Sequence, residues 1–455
     1  MRAFLLVWFG QLVSLLGSGM TGFGLAIWAW QETGQASALA LVGFFSFGPT
    51  VLLSPLAGAL VDRWNRKMVM MLSDLATGLS TIVVLFLYAT GQLEVWHLYI
   101  TGAFAGAFQA FQFPAYSAAI TTMISKAQYA RANGLLSLAE SSSQIAAPLL
   151  AGFLIGLVGI QGILLIDVVT FCFALLTLAL IHVPQPRATE AGQEGKGSLW
   201  FESMYGFRYI LKRPSLLGLQ LVFLGMNLVG AFFYTLVQPM ILARTGDDAA
   251  LLGSVLAFGG IGGVMGGVVM STWGGPKQRI HGVLGGMALS SLLGSVVVGI
   301  GQGLPLWAGG MFLASFFLPV LNGSNQAIWQ AKVAPDVQGR VFAVRRLIAQ
   351  ISAPLAMVLA GFLADYLFEP AMQPGGNLAP LFGEMLGTGP GAGMSLMILG
   401  SGVLGLAFAV GGYLFPAIRH AESLLPDHIA SSEAEEVPVA RPVEGQEGLA
   451  MEGAV

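Results

Sequence analysis

Residues 58–67 read Gly58-Ala59-Leu60-Val61-Asp62-Arg63-Trp64-Asn65-Arg66-Lys67. An apolar run ends here, the chain turns, and one acid stands beside three bases. On either side the charge vanishes: residues 33–61 and 75–93 contain no Asp, Glu, Lys or Arg. A helix needs about 20 mostly apolar residues to cross the hydrocarbon core of a bilayer. The stretch therefore reads as a short charged loop between two membrane spans, and the fold turns on how many such spans there are.

Further charge-free stretches occupy residues 3–31, 95–125, 141–166, 168–186, 214–243, 249–276, 280–331 and 385–418. The 280–331 stretch is too long for one helix and breaks at Gly301-Gln302-Gly303-Leu304-Pro305; another span follows Arg345-Arg346 and ends at Asp365. The total is twelve. The first span begins almost at Met1 and is too long for the apolar region of a signal peptide, so it is kept as a helix. Composition agrees. Of 455 residues, 55% are hydrophobic and 9% charged, whereas a soluble domain carries roughly 25% charged residues. The single cysteine, Cys172, excludes a disulfide framework and any multi-cysteine metal site. A net charge of −3 leaves no basic footprint for nucleic acid.

An even count puts both termini on one side. Nineteen of the twenty bases fall at the N-terminus, in the even-numbered loops or in the C-terminal tail, and Arg244 alone lies on the other face. The basic face, called inner below, is then expected to be cytoplasmic, in a multi-pass protein of the cell membrane with both termini inside. The chain divides into a six-helix bundle at 1–182, a central loop at 183–214, a second bundle at 215–419 and a tail at 420–455. In the central loop Trp200, Met204, Phe207 and Leu211 share one helical face, which predicts an amphipathic helix along the inner surface. The halves echo each other at an offset of 209 residues: Gly58 with Gly267, Trp64 with Trp273, Arg131 with Arg340, and Ala151-Gly152-Phe153-Leu154 with Ala360-Gly361-Phe362-Leu363. Duplicated halves are a transporter signature. The tail holds eight acids against one base, so the body is net +4, and its composition predicts disorder. The Gly- and Pro-rich outer loop 369–393 reads either as a mobile cover over an outward opening or as a floppy insertion.

The 58–67 stretch resembles the signature loop of the major facilitator superfamily, G-x-L-a-D-R-x-G-R-K, with Asn65 where the motif has glycine; Asn also tolerates a left-handed turn. The resemblance implies an all-α membrane protein, twelve helices in two pseudo-symmetric six-helix bundles around a cavity lined by spans 1, 4, 7 and 10. Gly58, Asp62, Arg63, Arg66 and Lys67, facing Arg345 and Arg346 at the start of span 11, are expected to form an inner gate that closes when the cavity faces outward. Within the family the chain looks most like the drug and proton antiporters that include macrolide-efflux and siderophore-export proteins. Ala147-Pro148-Leu149-Leu150-Ala151-Gly152 resembles the antiporter motif G-P-x-x-G-G of span 5, so Ala147, Pro148, Ala151 and Gly152 take that place, while the R-x-x-Q-G motif of span 4 is absent.

Polar stripes at helical spacing support the cavity independently: Gln11, Ser14 and Ser18 in span 1; Gln109, Gln112 and Tyr116 in span 4; Asn227, Tyr234 and Gln238 in span 7; Asn322, Gln326 and Trp329 in span 10. The competing reading is hydrogen bonding between helices. Acids at membrane depth are costly and are usually paired, protonated or functional. Three are candidates for proton coupling. Glu140 lies about 10 Å from the inner end of span 5, at about 1.5 Å per residue, on a polar face with Ser137, Ser141 and Gln144. It either exchanges a proton or pairs with Lys277, Arg279 or Arg131. Asp167 sits about two turns inside the outer end of span 6. Asp74 is expected to pair with Arg63 or Arg66, and Asp365, at the outer boundary, to be wet.

No lysine precedes Ser or Thr, so a Walker phosphate loop is lacking, and neither G-x-S-x-G nor H-E-x-x-H occurs. The expectation is a secondary active transporter, not an enzyme, that exports bulky amphipathic or hydrophobic small molecules. It would have no cofactor or metal, the proton gradient as energy source, the bilayer and a small-molecule substrate as partners, and a monomer as the working unit. Two alternatives stand: an importer on the same fold, and a receptor or scaffold that transports nothing. Spans 1, 4, 7 and 10 are sparse in charge and rich in Phe (Phe104, Phe108, Phe111, Phe113, Phe232, Phe233, Phe316, Phe317), which favours amphipathic cargo over sugars or acids.

Overall fold

The computed structural model describes residues 2–61, 64–124, 129–181, 206–333 and 338–424. Helix is the only regular structure assigned among them, as a bilayer demands, because backbone groups there must close their hydrogen bonds within a segment. The first four helices are α1 (Arg2–Thr33), α2 (Ala36–Val61), α3 (Arg66–Ala89) and α4 (Val95–Met123). A long helix from Tyr129 to Leu180 folds back at Gly159, whose φ of 66° favours glycine, and becomes α5 (129–158) and α6 (160–180). There follow α7 (Pro214–Thr245), α8 (Ala249–Trp273), α9 (Arg279–Ile300), α10 (Leu304–Lys332), α11 (Gln338–Leu363, continued through a π turn at Ala364–Phe368) and α12 (Ala392–Leu414). Ten stretches of the described residues are long and apolar enough to cross a membrane; one of them, Leu138–Leu180, has 43 residues. That is about 65 Å at about 1.5 Å per residue, twice a bilayer core, so the bend at Gly159 makes two crossings of it. With α4 the crossings are twelve.

Local chemistry sets the ends. Asn65 does not take the left-handed turn expected of it: at φ −67° and ψ 112° it is extended, and its side chain caps α3 by accepting from Met68 N at 3.2 Å. Asp248 caps α8 the same way through Leu251 N at 2.9 Å. Lys67 Nζ reaches Ala179 O and Ile181 O at 2.8 and 2.7 Å, tying α3 to the open carbonyls that end α6.

The halves α1–α6 and α7–α12 meet along two seams, α5 on α8 and α2 on α11. Each carries one glycine of the repeated Ala-Gly-Phe-Leu. A Cβ on Gly152 would stand 2.7 Å from Ala249 O, and one on Gly361 would stand 2.7 Å from Ala40 Cβ and Ser37 Cα. Gly253 likewise lets α8 approach Pro148 O. These glycines let backbones touch, which is how membrane helices associate when lipid is as apolar as the side chains. The largest buried core joins both halves at their outer ends, through Trp30, Leu39, Val237, Leu252 and Ala364 among others. Toward the inner face the cores separate: one cluster around Ile210, Leu284 and Trp329 belongs to the second half, and those around Phe4, Val69 and Ala119 to the first. Among the described residues the buried core is continuous between the halves at the outer end and separate at the inner end.

Two expectations are corrected. The outer loop is neither floppy nor a loose cover: it forms a helix at Ala379–Leu386 and buries Met372, Leu386 and Ala392 beneath it. Arg244, the lone outer base, holds it by donating to Leu386 O at 2.6 Å and Gly391 O at 3.4 Å, while Glu369 accepts from Gly391 N and Met394 N at 3.0 and 2.8 Å. The tail begins as packed structure, since Glu422 accepts from Ile280 N at 3.1 Å and so caps α9; residues 425–455 lie outside the described residues. So do Trp200 and Met204 of the central loop, and in the helical turn that follows them Ile210 is buried while Leu211 is 61% exposed.

Candidate functional site

Below the outer seams lies a cavity of about 700 Å³ between the halves, within the size range of small-molecule sites. Pro148 and Ala147 of α5 stand at its outer end, and Glu140, Ser141 and Gln144 of the same helix run down its wall. α1 contributes Leu15 and Gly19, α7 contributes Tyr234, α8 Leu256, Gly259, Gly260, Gly263 and Val264, and α10 Met311, Ser315, Leu318, Pro319 and Asn322. Among the described lining residues Glu140 is the only charged one, and its side chain is exposed. The antiporter-like motif thus closes the cavity outward, and the polar face of span 5, not that of span 1, is its main polar wall.

Of the predicted cavity residues, Tyr234 and Asn322 line it. Others are taken up elsewhere, because spacing fixes which residues share a face and not what that face meets. Gln11 Nε2 and Gln112 Nε2 donate to the two oxygens of Asp74 at 2.8 and 2.7 Å. The pairing expected with Arg66 is replaced by this amide clamp between α1, α3 and α4; Arg63, like Asp62, lies outside the described residues. Tyr116 is half-buried beside the same carboxylate. Ser18 Oγ donates to Asp167 at 3.0 Å. Trp329 is fully buried and its Nε1 donates to Asn325 at 3.1 Å; Gln326 accepts from Arg345 Nη1 at 2.7 Å. Arg345 stands over the Trp329 ring at 5.2 Å, held inside the second half, while Arg346 is exposed. Asn227 donates to Phe223 O at 2.9 Å within its own helix. Gln109 is exposed, and Ser14 and Gln238 are half-buried, all three off the cavity lining.

Asp365 is not merely wet. Its Oδ1 accepts from Ala36 N at 2.9 Å and its Oδ2 from Ser37 N at 2.7 Å. The carboxylate thus caps the first turn of α2, in the other half, where a helix N-terminus carries partial positive charge. The π turn at Ala364–Phe368 lies at the end of α11 and carries this side chain. Nearby, Trp30 Nε1 donates to Asp247 Oδ1 at 2.8 Å, and Asp247 holds a left-handed φ of 69°. Among the described residues these three hydrogen bonds latch the halves together at the outer end. Sequence reading missed the latch because the partners of Asp365 are backbone N–H groups.

Twelve spanning helices in two related halves, with a cavity sealed on one face, define a membrane transporter rather than an enzyme. The sequence model of the Major Facilitator Superfamily matches residues 7–357, and the chain belongs to that superfamily. It is 24% identical over 367 residues to macrolide efflux protein A of Streptococcus pyogenes, covering 80% of this chain and 89% of that protein. It is 24% identical to the multidrug efflux pump Tap of Mycolicibacterium fortuitum, over 79% of this chain and 89% of Tap. The fold matches a bacterial homologue of the human lysosomal transporter Spinster in an inward-facing, unoccupied conformation, with a TM-score of 0.66 and 15% identity across 92% of this chain and 97% of that one.

Proposed function

We propose that the chain exports bulky amphipathic small molecules, cationic ones above all, across the cell membrane in exchange for protons, with its basic face in the cytoplasm. The observation that carries this is the cavity itself: about 700 Å³, mostly apolar, with Glu140 as its one charged lining residue among those described. A lone carboxylate in a mostly apolar cavity attracts a cation and repels an anion, because the low surrounding polarity strengthens its field. The efflux relatives support the direction. Glu140 would alternate between holding a cationic substrate and holding a proton, and the two states would favour opposite openings of the halves. Asp62 and its basic neighbours would close the inner side in the outward-open state, against α11 near Arg345 and Arg346. The bundles 1–182 and 215–419 would rock as units about the central loop. The test is accumulation of a labelled macrolide and of ethidium in cells lacking other efflux pumps. Cells making the chain should accumulate less, and a protonophore or Glu140→Gln should each restore accumulation. Low accumulation that survives Glu140→Gln would remove that residue from the mechanism.

A further inference from the structure

The buried acids differ in what surrounds them, and the difference is chemical. Asp74 receives two amide NH2 groups, which have no lone pair to offer a cation. Asp167, 2% exposed, is ringed by hydroxyls. Ser18 Oγ lies 3.0 Å from its Oδ1 and Thr81 Oγ1 lies 3.0 Å from its Oδ2. Thr21, one turn along α1 from Ser18, adjoins the same carboxylate. The Thr21 residue is only 8% exposed and its hydroxyl completes no hydrogen bond of good geometry. Gly17 makes room, since a Cβ there would stand 3.0 Å from Asp167 Oδ1. No base is near. Along α1 and α3 the nearest are Arg2 and Lys67, about 24 Å from Ser18 and about 21 Å from Thr81 at about 1.5 Å per residue, and α6 has none. The other titratable groups within the membrane on α1, α3, α5 and α6 are Asp74, Tyr88, Glu140 and Cys172.

We propose that Asp167, Ser18, Thr21 and Thr81 form a binding site for a sodium ion. The set offers five oxygen atoms, and hydroxyls rotate freely enough to turn lone pairs toward a hard cation. One carboxylate balances one positive charge, which selects a monovalent ion over a divalent one in a medium where net charge is costly. The Ser18 and Thr81 hydroxyls already stand 3.0 Å from the carboxylate oxygens, so the set is gathered closely enough to contact one small ion at once. The bound ion ties α1 to α3 and α6. Since α1 also brings Leu15 and Gly19 to the cavity wall, occupancy bears on the shape of the cavity. The site is separate from Glu140 and goes beyond the export reading.

The test uses the purified full chain in sodium-free choline buffer at neutral pH, titrated with NaCl or KCl at matched ionic strength, with thermal unfolding as the readout. Sodium should raise the unfolding midpoint saturably and potassium should not. Ser18→Ala should raise the half-saturating NaCl at least about tenfold, the scale seen when one group around a metal is removed. Asp167→Asn should abolish the response, and Asp74→Asn should keep it. Absence of a sodium-specific shift in the unsubstituted chain, or an undiminished one in either Asp167→Asn or Ser18→Ala, overturns the proposal. Stabilisation by acid alone, lost in Asp167→Asn, assigns the site to a proton and also overturns it. Because binding is read without transport, failure here leaves the export reading standing.

Discussion

Removing the Asp365 carboxylate should open the outer side. In Asp365→Ala the first turn of α2 loses two acceptors, at 2.9 and 2.7 Å, and a negative charge at its N-terminus. Loss of a helix cap costs about 0.5–2 kcal/mol, and hydrogen bonds to a charged group are worth about 1.5–3 kcal/mol each when fully counted. Water re-solvates part of this at a half-exposed site, so about 1–2 kcal/mol is a fair net value. Because the bonds join the halves, that energy belongs to the outward-closed state alone, and its loss shifts the closed-to-open ratio roughly 5- to 30-fold. The assay is labelling of Ser37→Cys, a seam residue only 5% exposed, by a membrane-impermeant maleimide in a Cys172→Ser background. Adding Asp365→Ala should speed labelling by about that factor, and Asp365→Asn by less. An unchanged rate would refute the latch.

Gly361→Val should open the same seam by a different route, since a Cβ there already meets Ala40 and Ser37 at 2.7 Å; overpacking of about 1–3 kcal/mol should again raise labelling at residue 37. Arg244→Ala should release the outer loop: losing its carbonyl contacts costs about 2 kcal/mol, enough to raise hydrogen exchange across residues 373–391 roughly thirtyfold. Asp74→Leu should lower the unfolding temperature of the purified protein well below that of Asp74→Asn, because it leaves the Gln11 and Gln112 amides without their acceptor, at about 1–3 kcal/mol each.

The twelve helices were legible because a bilayer imposes its own length on apolar runs, and because a base in the wrong loop is rare enough to register each crossing. The repeated Ala-Gly-Phe-Leu was also legible, and its two glycines sit at the two seams, where backbone contact tolerates no side chain. Less could be read of what each polar stripe faces. Gln11 and Gln112 lie on inward faces of α1 and α4, as spacing requires, yet those faces meet Asp74 and not the cavity. A single helix offers several inward directions, and only packing chooses among them. Asp365 was beyond sequence reading for another reason: its partners lie 329 and 328 residues away and are main-chain groups, and the π turn that carries it leaves no compositional mark.

Proton movement in proteoliposomes decides whether Glu140 couples export to the proton gradient. The purified chain is reconstituted with a pH-sensitive dye inside, and a macrolide, ethidium and an anionic amphiphile are added in turn. Proton flux is expected on adding the macrolide or the cation, little with the anion, and none in Glu140→Gln. Flux that persists undiminished in Glu140→Gln, or no flux with any of the three, would contradict it.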